Sequence, residues 1–320
     1  MQTPHAEQIQ SALMGNAAAQ SAVVASWDRS MRLYGLDPEK GALPDVLPDA
    51  ELRQARERMG SLIDTAQSAL DRLYSAVGGA GCCVLLADKD GVPVDRRGCV
   101  ADDTIFYKLG LWTGAVWSEE SEGTNGIGTA LAEQRPLTIH RDQHFRSRNT
   151  SLSCTVAPIF DHRGRLMAAI DVSSARADLT EDFVKVIALA VVDAARRVEA
   201  ENFRLSFPKA RIVLAQSSDD AFGERSANAL IAVDSDDLVI GASRSARHLL
   251  GLTDESLARP LPAADLFGQN GNARQDYATA ERNVIQRVLA RTSGNVSAAA
   301  AIMGISRATL HRKLKRLGLS

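Results

Sequence analysis

The 320-residue chain gathers its positive charge at one end: residues 281–320 carry eight Lys and Arg against one Glu, the rest 29 basic and 38 acidic residues. In "SGNVSAAAAIMGISRATLHRKLKRLG" (293–318), Leu310, Leu314 and Leu317 recur at four and three residues, the spacing of one buried helix face. Ser306, Arg307, Thr309, His311, Arg312, Lys313, Lys315 and Arg316 are then left largely outward. Arg, His and Thr near the start of such a helix suit base edges in a major groove, and the later Lys and Arg suit phosphates. Ser306 is in addition a favourable N-cap, and Gly318 a helix terminator. The alanines at 298–301 let a second helix cross closely, and Gly304 tolerates the positive φ of a short turn. A merely solvated charged helix does not require these features together. Double-stranded DNA is the expected partner.

Little else is spaced for catalysis. Cys82, Cys83, Cys99 and Cys154 match neither a disulfide framework nor paired CxxC zinc ligands, so reduced and mostly buried thiols are expected. His140 and His144 stand four apart and could join Cys154 around a metal, but that segment shows no helix signal and no HExxH. "GTNGIGTAL" (123–131) contains Gly126-x-Gly128, yet Leu131 occupies the third glycine position of a dinucleotide fingerprint and no βαβ unit surrounds it. Those glycines are expected to shape a turn and a helix start. No GxxxxGK[ST] phosphate loop occurs, so ATP hydrolysis is not expected. Neither a cofactor nor a metal is anticipated.

The elements that would position these residues read as α+β. "VVASWDRSMRLYGLDPEK" (23–40) suggests a short helix with Trp27, a stop at Gly35 and a turn at Pro38. Leu52, Ala55, Met59, Leu62, Ala66, Ala69, Leu73 and Ala76 form a heptad seam, predicting one long helix packed on its own domain or on a second copy. Strands follow in "GCCVLLAD", "VPVD" and "RPLTIH", then a hairpin from "LSCTVAPIFD" and "RLMAAIDVSS". Thr180 caps a long helix beginning "EDFVKVIALAVV". "NALIAVD", "LVIGAS" and "RSARHLLGL" suggest two strands and a helix, and "GQNGNARQD" (268–276) a linker. Beyond it come three helices, the first burying Val284, Ile285, Val288 and Leu289.

Residues 280–319, "AERNVIQRVLARTSGNVSAAAAIMGISRATLHRKLKRLGL", resemble the Fis-type helix-turn-helix that ends many bacterial enhancer-binding activators. "SWDRSMRLYGLDP", "SEGTNGIGTAL" and "HFRSRNTSLSCTVAPIFDHRGRLMAAIDVS" resemble the sensory GAF domain of acetoin-catabolism-type activators, from about residue 20 to 205. Residues 226–268 resemble a truncated PAS domain more weakly. The implied division is an N-terminal helical segment (1–50), a GAF domain with flanking helices (51–205), the PAS-like segment (226–268) and the helix-turn-helix (278–320). The resemblance also implies a dimer on a near-palindromic site and a small-molecule effector between sheet and helices. Trp117, Thr124, Asn125, His140, His144, Phe145 and Cys154 are its candidate contacts.

Such activators usually carry an AAA+ ATPase between sensor and DNA-binding domain; here only about 75 residues separate the two, with no phosphate loop. Control by occupancy is therefore expected: repression, or activation through direct contact with RNA polymerase. The reading is a non-enzymatic, cytoplasmic, homodimeric regulator without membrane association. Two alternatives stand beside it: a thiol-dependent methionine sulfoxide reductase-like enzyme, and a non-catalytic partner in mixed dimers with a full-length activator.

Overall fold

The computed structural model of the chain describes residues 4–14, 21–41, 43–215, 228–266 and 273–319. The chain divides into two compact units, Met1–Arg259 and Pro260–Ser320.

The first unit is built on a five-stranded antiparallel sheet: β1 (Cys82–Asp88), β2 (Pro93–Arg97), β3 (Leu137–His140), β4 (Ser153–Phe160) and β5 (Leu166–Ser174), in the order β2-β1-β5-β4-β3. All of β1 and β4 is buried. A sheet covered on both faces needs near-continuous apolar strands, which is why these segments show so little polar alternation. Helices α1 (His5–Met14) and α2 (Ala22–Asp28) precede the sheet, and a π-helical turn, Arg29–Leu33, extends α2 as far as the positive-φ Gly35.

One face of the sheet packs on α3 (Asp49–Met59), α4 (Ser61–Val77) and α8 (Glu181–Ser206), with Leu62, Leu70, Val191 and Val198 against Val84, Leu86, Ile170 and Val172. The Thr180 hydroxyl accepts the Phe183 N–H and caps α8. The other face carries α5 (Val100–Lys108), α6 (Glu119–Glu122) and α7 (Gly126–Glu133), with Phe106, Trp117 and Ile127 against Cys83, Leu85, Cys154 and Val156.

The predicted long helix is two helices. Gly60, at φ 54°, breaks the seam between α3 and α4; a Cβ there would meet nothing within 4 Å, so the left-handed backbone, not close packing, favours glycine. Ala55, Met59, Leu62, Ala66, Ala69 and Leu73 are all buried in the chain's own core, and Ala76 is exposed. The seam is spent within the chain and is not free for a second copy.

A smaller sheet, β6 (Arg211–Leu214), β7 (Leu230–Val233) and β8 (Val239–Ala242), has one strand more than the sequence suggested. Helices α9 (Arg244–Leu250) and α10 (Asp254–Leu257) follow. The second unit holds α11 (Ala263–Leu266), α12 (Ala273–Arg291), α13 (Val296–Ile302) and α14 (Arg307–Arg316). The expected linker is helical from Ala273 onward, and its residues 268–272 lie outside the described ones. Residues 226, 227, 267 and 268 of the PAS-like segment also lie outside them.

The glycines of "GTNGIGTAL" seat α7. A Cβ on Gly126 would stand 2.5 Å from the Cys154 Cβ, and one on Gly128 would meet the Glu119 amide and the Trp117 carbonyl. Backbone cannot yield as a side-chain tip can, so Gly128→Ala should destabilise this unit by about 1–3 kcal/mol. Gly79→Ala, where a Cβ meets nothing, should stay within about 0.5 kcal/mol of the parent. Urea unfolding followed by tryptophan fluorescence reads this unit alone, because Trp27, Trp112 and Trp117 all lie in it. Equal midpoints for the two variants would contradict the close-packing account.

Candidate functional site

In the second unit the side chains of Asn295 and Ser306 start α13 and α14. Asn295 Oδ1 accepts the Ser297 and Ala298 amides at 3.1 Å, and Ser306 Oγ accepts the Thr309 amide at 3.1 Å. Each such cap is worth about 1 kcal/mol. Gly304, at φ 65° with no atom within 4 Å of where a Cβ would stand, turns the chain between the two helices. Ala299 and Ala300 are buried with Ile285, Leu310 and Leu314, which places the small side chains at the helix crossing. Val284, expected inward, is 44 % exposed; Ile285, Val288 and Leu289 form the packed stripe of α12.

Of the candidate contacts to DNA, Arg307, His311, Arg312, Lys315 and Arg316 are exposed along α14. Thr309 and Lys313 are half-buried, which corrects the outward placement expected for them. The Ser306 hydroxyl is committed to its cap and lies 2.8 Å from Thr309 Oγ1. Lys313 and Arg316 both donate to the Glu281 carboxylate on α12, and the Lys313 hydrogen bond, with the two charges, holds that carboxyl below the usual range. Position 313 flanks the seam of buried Leu310 and Leu314 and half-buried Leu317, so its side chain leans toward α12. Arg307, His311, Arg312 and Lys315 carry no such tie to Glu281.

The first unit holds the expected effector contacts inside its packing. Trp117 is buried and its indole N–H donates to the Gly110 carbonyl at 2.8 Å. Asn125 caps α7: Oδ1 accepts the Gly128 amide at 2.8 Å, and the amide group donates to the Gly123 carbonyl at 2.9 Å. Thr124 Oγ1 lies 2.7 Å from Ser26 Oγ, and buried Phe145 donates its amide to the Thr124 carbonyl. His140 Nδ1 stands 2.9 Å from Ser153 Oγ. His144 is buried, with Nδ1 3.0 Å from the Arg141 carbonyl, and burial lowers its pKa to about 4. Neither histidine shares a metal-type cluster with Cys154; among the described residues no group of His, Cys, Asp and Glu is placed to hold an ion. Burial pushes the Cys82, Cys83 and Cys154 thiols up, opposite to what a thiolate nucleophile requires, and Cys99 is exposed.

Two arrangements lie beyond the sequence reading. Ser26 on α2 donates to Glu119 at 2.7 Å, and Arg29 donates to both oxygens of the same carboxylate at 3.0 and 3.1 Å, tying the N-terminal helix to α6. The second is Asp171 in the middle of β5, fully buried. Ser173 Oγ donates to its Oδ2 at 2.6 Å and lies 3.0 Å from Cys154 Sγ, while Oδ1 has no partner. Alternation along "AAIDVSS" does carry a signal: Ala169, Asp171 and Ser173 share one face and Ala168, Ile170 and Val172 the other.

Burial raises the Asp171 pKa to about 7, against a partial opposing effect of the Ser173 hydrogen bond. The folded protein therefore keeps a proton that the unfolded chain releases near pH 4, so stability falls as pH rises from about 4 to 7 and levels above that. Asp171→Asn should flatten this part of the pH profile and raise the melting temperature at pH 8 relative to the parent. Thermal melts at pH 5 and pH 8 test it; an unchanged difference between the two pH values would contradict the buried, protonated state.

Known proteins share these parts. Residues 61–198 match the GAF domain, and residues 278–317 match the bacterial regulatory protein, Fis family. The chain is 33% identical over 259 residues to the acetoin catabolism regulatory protein of Cupriavidus necator, covering 81% of this chain and 38% of that one. It is 30% identical over 198 residues to the acetoin dehydrogenase operon transcriptional activator AcoR of Bacillus subtilis, covering 61% and 32%. The chain thus spans 32–38% of the length of these relatives. In fold it is similar to the crystal structure of the E. coli DhaR(N)-DhaL complex, at TM-score 0.54 and 18% identity, over 82% of this chain and 86% of that one. An antiparallel sheet closed by helices on both faces, joined in one chain to a capped basic helix that crosses an alanine-rich one, is thus a GAF domain with a DNA-binding domain of the bacterial Fis family.

Proposed function

We propose that the chain is a sequence-specific transcriptional regulator whose GAF domain binds a small molecule and thereby alters DNA binding by the helix-turn-helix. The observation that carries this reading is the exposed face of α14, where Arg307, His311, Arg312 and Lys315 follow a capped helix start. Arg307 and His311, on the first turns, suit base edges; Arg312 and Lys315 suit phosphates. The Glu281-bound Lys313 and Arg316 would act at the rim. The working unit is a homodimer, because two recognition helices on a near-palindromic site double the base contacts. Residues 1–50, 51–205, 226–268 and 278–320 serve as helical extension, sensor, PAS-like spacer and DNA-binding domain.

With no phosphate loop in its sequence, the chain is proposed to work by occupancy in the cytoplasm: as a repressor, or as an activator that touches RNA polymerase directly. The effector would reach the seam of Trp117, Cys154 and Asp171 only if α7 moves off the sheet, because the packed helix leaves no room for even a Cβ on Gly126. It can change DNA affinity only by as much as its own affinity differs between two states of the protein.

Binding should weaken steeply with added salt, as counterions released from phosphates demand. After selection of a cognate site from genomic DNA, Arg307→Ala should cost roughly 1–3 kcal/mol on that site and much less on random DNA. Lys315→Ala should weaken both alike and reduce the salt slope by about one. Fluorescence anisotropy titrations on the two DNAs separate the roles; equal losses on both DNAs for Arg307→Ala would overturn its base-reading assignment.

A further inference from the structure

A cavity of about 720 Å³ opens between α8, the end of β4 and α9, well within the size range of small-molecule sites. It is a groove open to solvent along the exposed Arg135 and Arg196, and its walls carry an excess of positive charge. Arg135, Arg196, Arg244 and Arg247 line it together with one carboxylate, Glu199, and the Phe160 ring. The Arg244 guanidinium stacks 3.6 Å over Phe160 and donates to Gln134 Oε1 at 3.2 Å. Arg247 is held by Asp254 at 2.7 Å, and Arg135 reaches Glu133 at 3.7 Å. Among the described residues Arg196 makes no hydrogen bond or ion pair, and Arg244 has no carboxylate within ion-pair distance. Glu199 accepts the Phe160 amide at 2.9 Å, and burial raises its pKa to about 7, so it neutralises its surroundings only in part.

Two guanidinium groups without carboxylate partners, one of them stacked on an aromatic ring, form a ready fork for an anionic group. The apolar wall of Ala157, Pro158 and Val192 suits a carbon skeleton behind that group. We infer that this cavity is a second effector site, distinct from the core beneath α7, and that it takes a small organic anion bearing carboxylates or phosphates. Arg196 and Arg244 hold the anion, and Glu199 opposes it. The site joins the GAF sheet to the small β6–β8 sheet through α9, so its ligand bridges two parts of the first unit.

Citrate and inorganic pyrophosphate, titrated separately into the full chain by calorimetry at fixed ionic strength, test the inference. Saturable binding of at least one, at about 1 mM or tighter, is expected. Citrate alone would assign a carboxylate ligand, pyrophosphate alone a phosphorylated one; either supports the site. Arg196→Gln and Arg244→Gln should each weaken binding about tenfold, as loss of a charged hydrogen bond does. Glu199→Gln, which retains an acceptor for the Phe160 amide, should strengthen it. That opposite sign separates an anion site from arginines that only hold α9 in place, and from a variant that has failed to fold. No binding of either anion at about 10 mM overturns the inference. So does binding that all three substitutions leave unchanged, which would place the anion on α14, and so does binding of an acidic peptide where both small anions fail.

Discussion

Burial of every residue in β1 and β4 leaves the central sheet without a face for water, and each face must be covered by helices. The first cover, α3, α4 and α8, is assembled from aliphatic side chains and small alanines. The second cover brings α7 so near the strands at Gly126, and so near the backbone of Trp117 and Glu119 at Gly128, that neither position leaves room for a side chain. That proximity seals Asp171 and Ser173 away from solvent with Cys154. The polar seam at the GAF core is thus a consequence of close helix–sheet packing, and so is the near-neutral titration of its carboxyl.

The same trade between burial and charge recurs at Glu199. There a half-buried glutamate on α8 faces Arg196 and Arg244, and burial still dominates its titration. Opposite-charge neighbours usually depress a carboxyl; here no guanidinium is close enough to hydrogen-bond it.

In the second unit, part of the basic charge holds the domain together and part stays exposed on α14. Glu281, the single acid of residues 281–320, gathers Lys313 and Arg316 and thereby anchors α12 to α14. The basic side chains of α14 not tied to Glu281 are Arg307, His311, Arg312 and Lys315. A count of positive residues overstates the face available to phosphates, because two of them have an internal partner.

Local rules were enough to place most elements. The caps at Thr180 and Ser306, the β4–β5 hairpin and the turn at Gly304 depend on neighbours a few residues away, and each reads directly from the chain. The seam from Leu52 to Leu73 kept its spacing across Gly60, so periodicity alone joined two helices that a left-handed glycine separates. Strand β6 is short and only partly buried, which leaves four residues without a strong signal. The sequence by itself determined the α+β class, the five strands of the main sheet and the basic C-terminal helix, because these follow from local spacing and charge. Tertiary structure alone decided that Trp117, Asn125, His144 and Phe145 are packed and hydrogen-bonded inside the core, that Lys313 turns to Glu281, and that Arg196, Arg244 and Glu199 meet. Lys313 meets Glu281 across 32 positions and Arg244 comes to the α8 pair from a separate helix, and only the closing of helices onto the sheet and onto one another sets such distances.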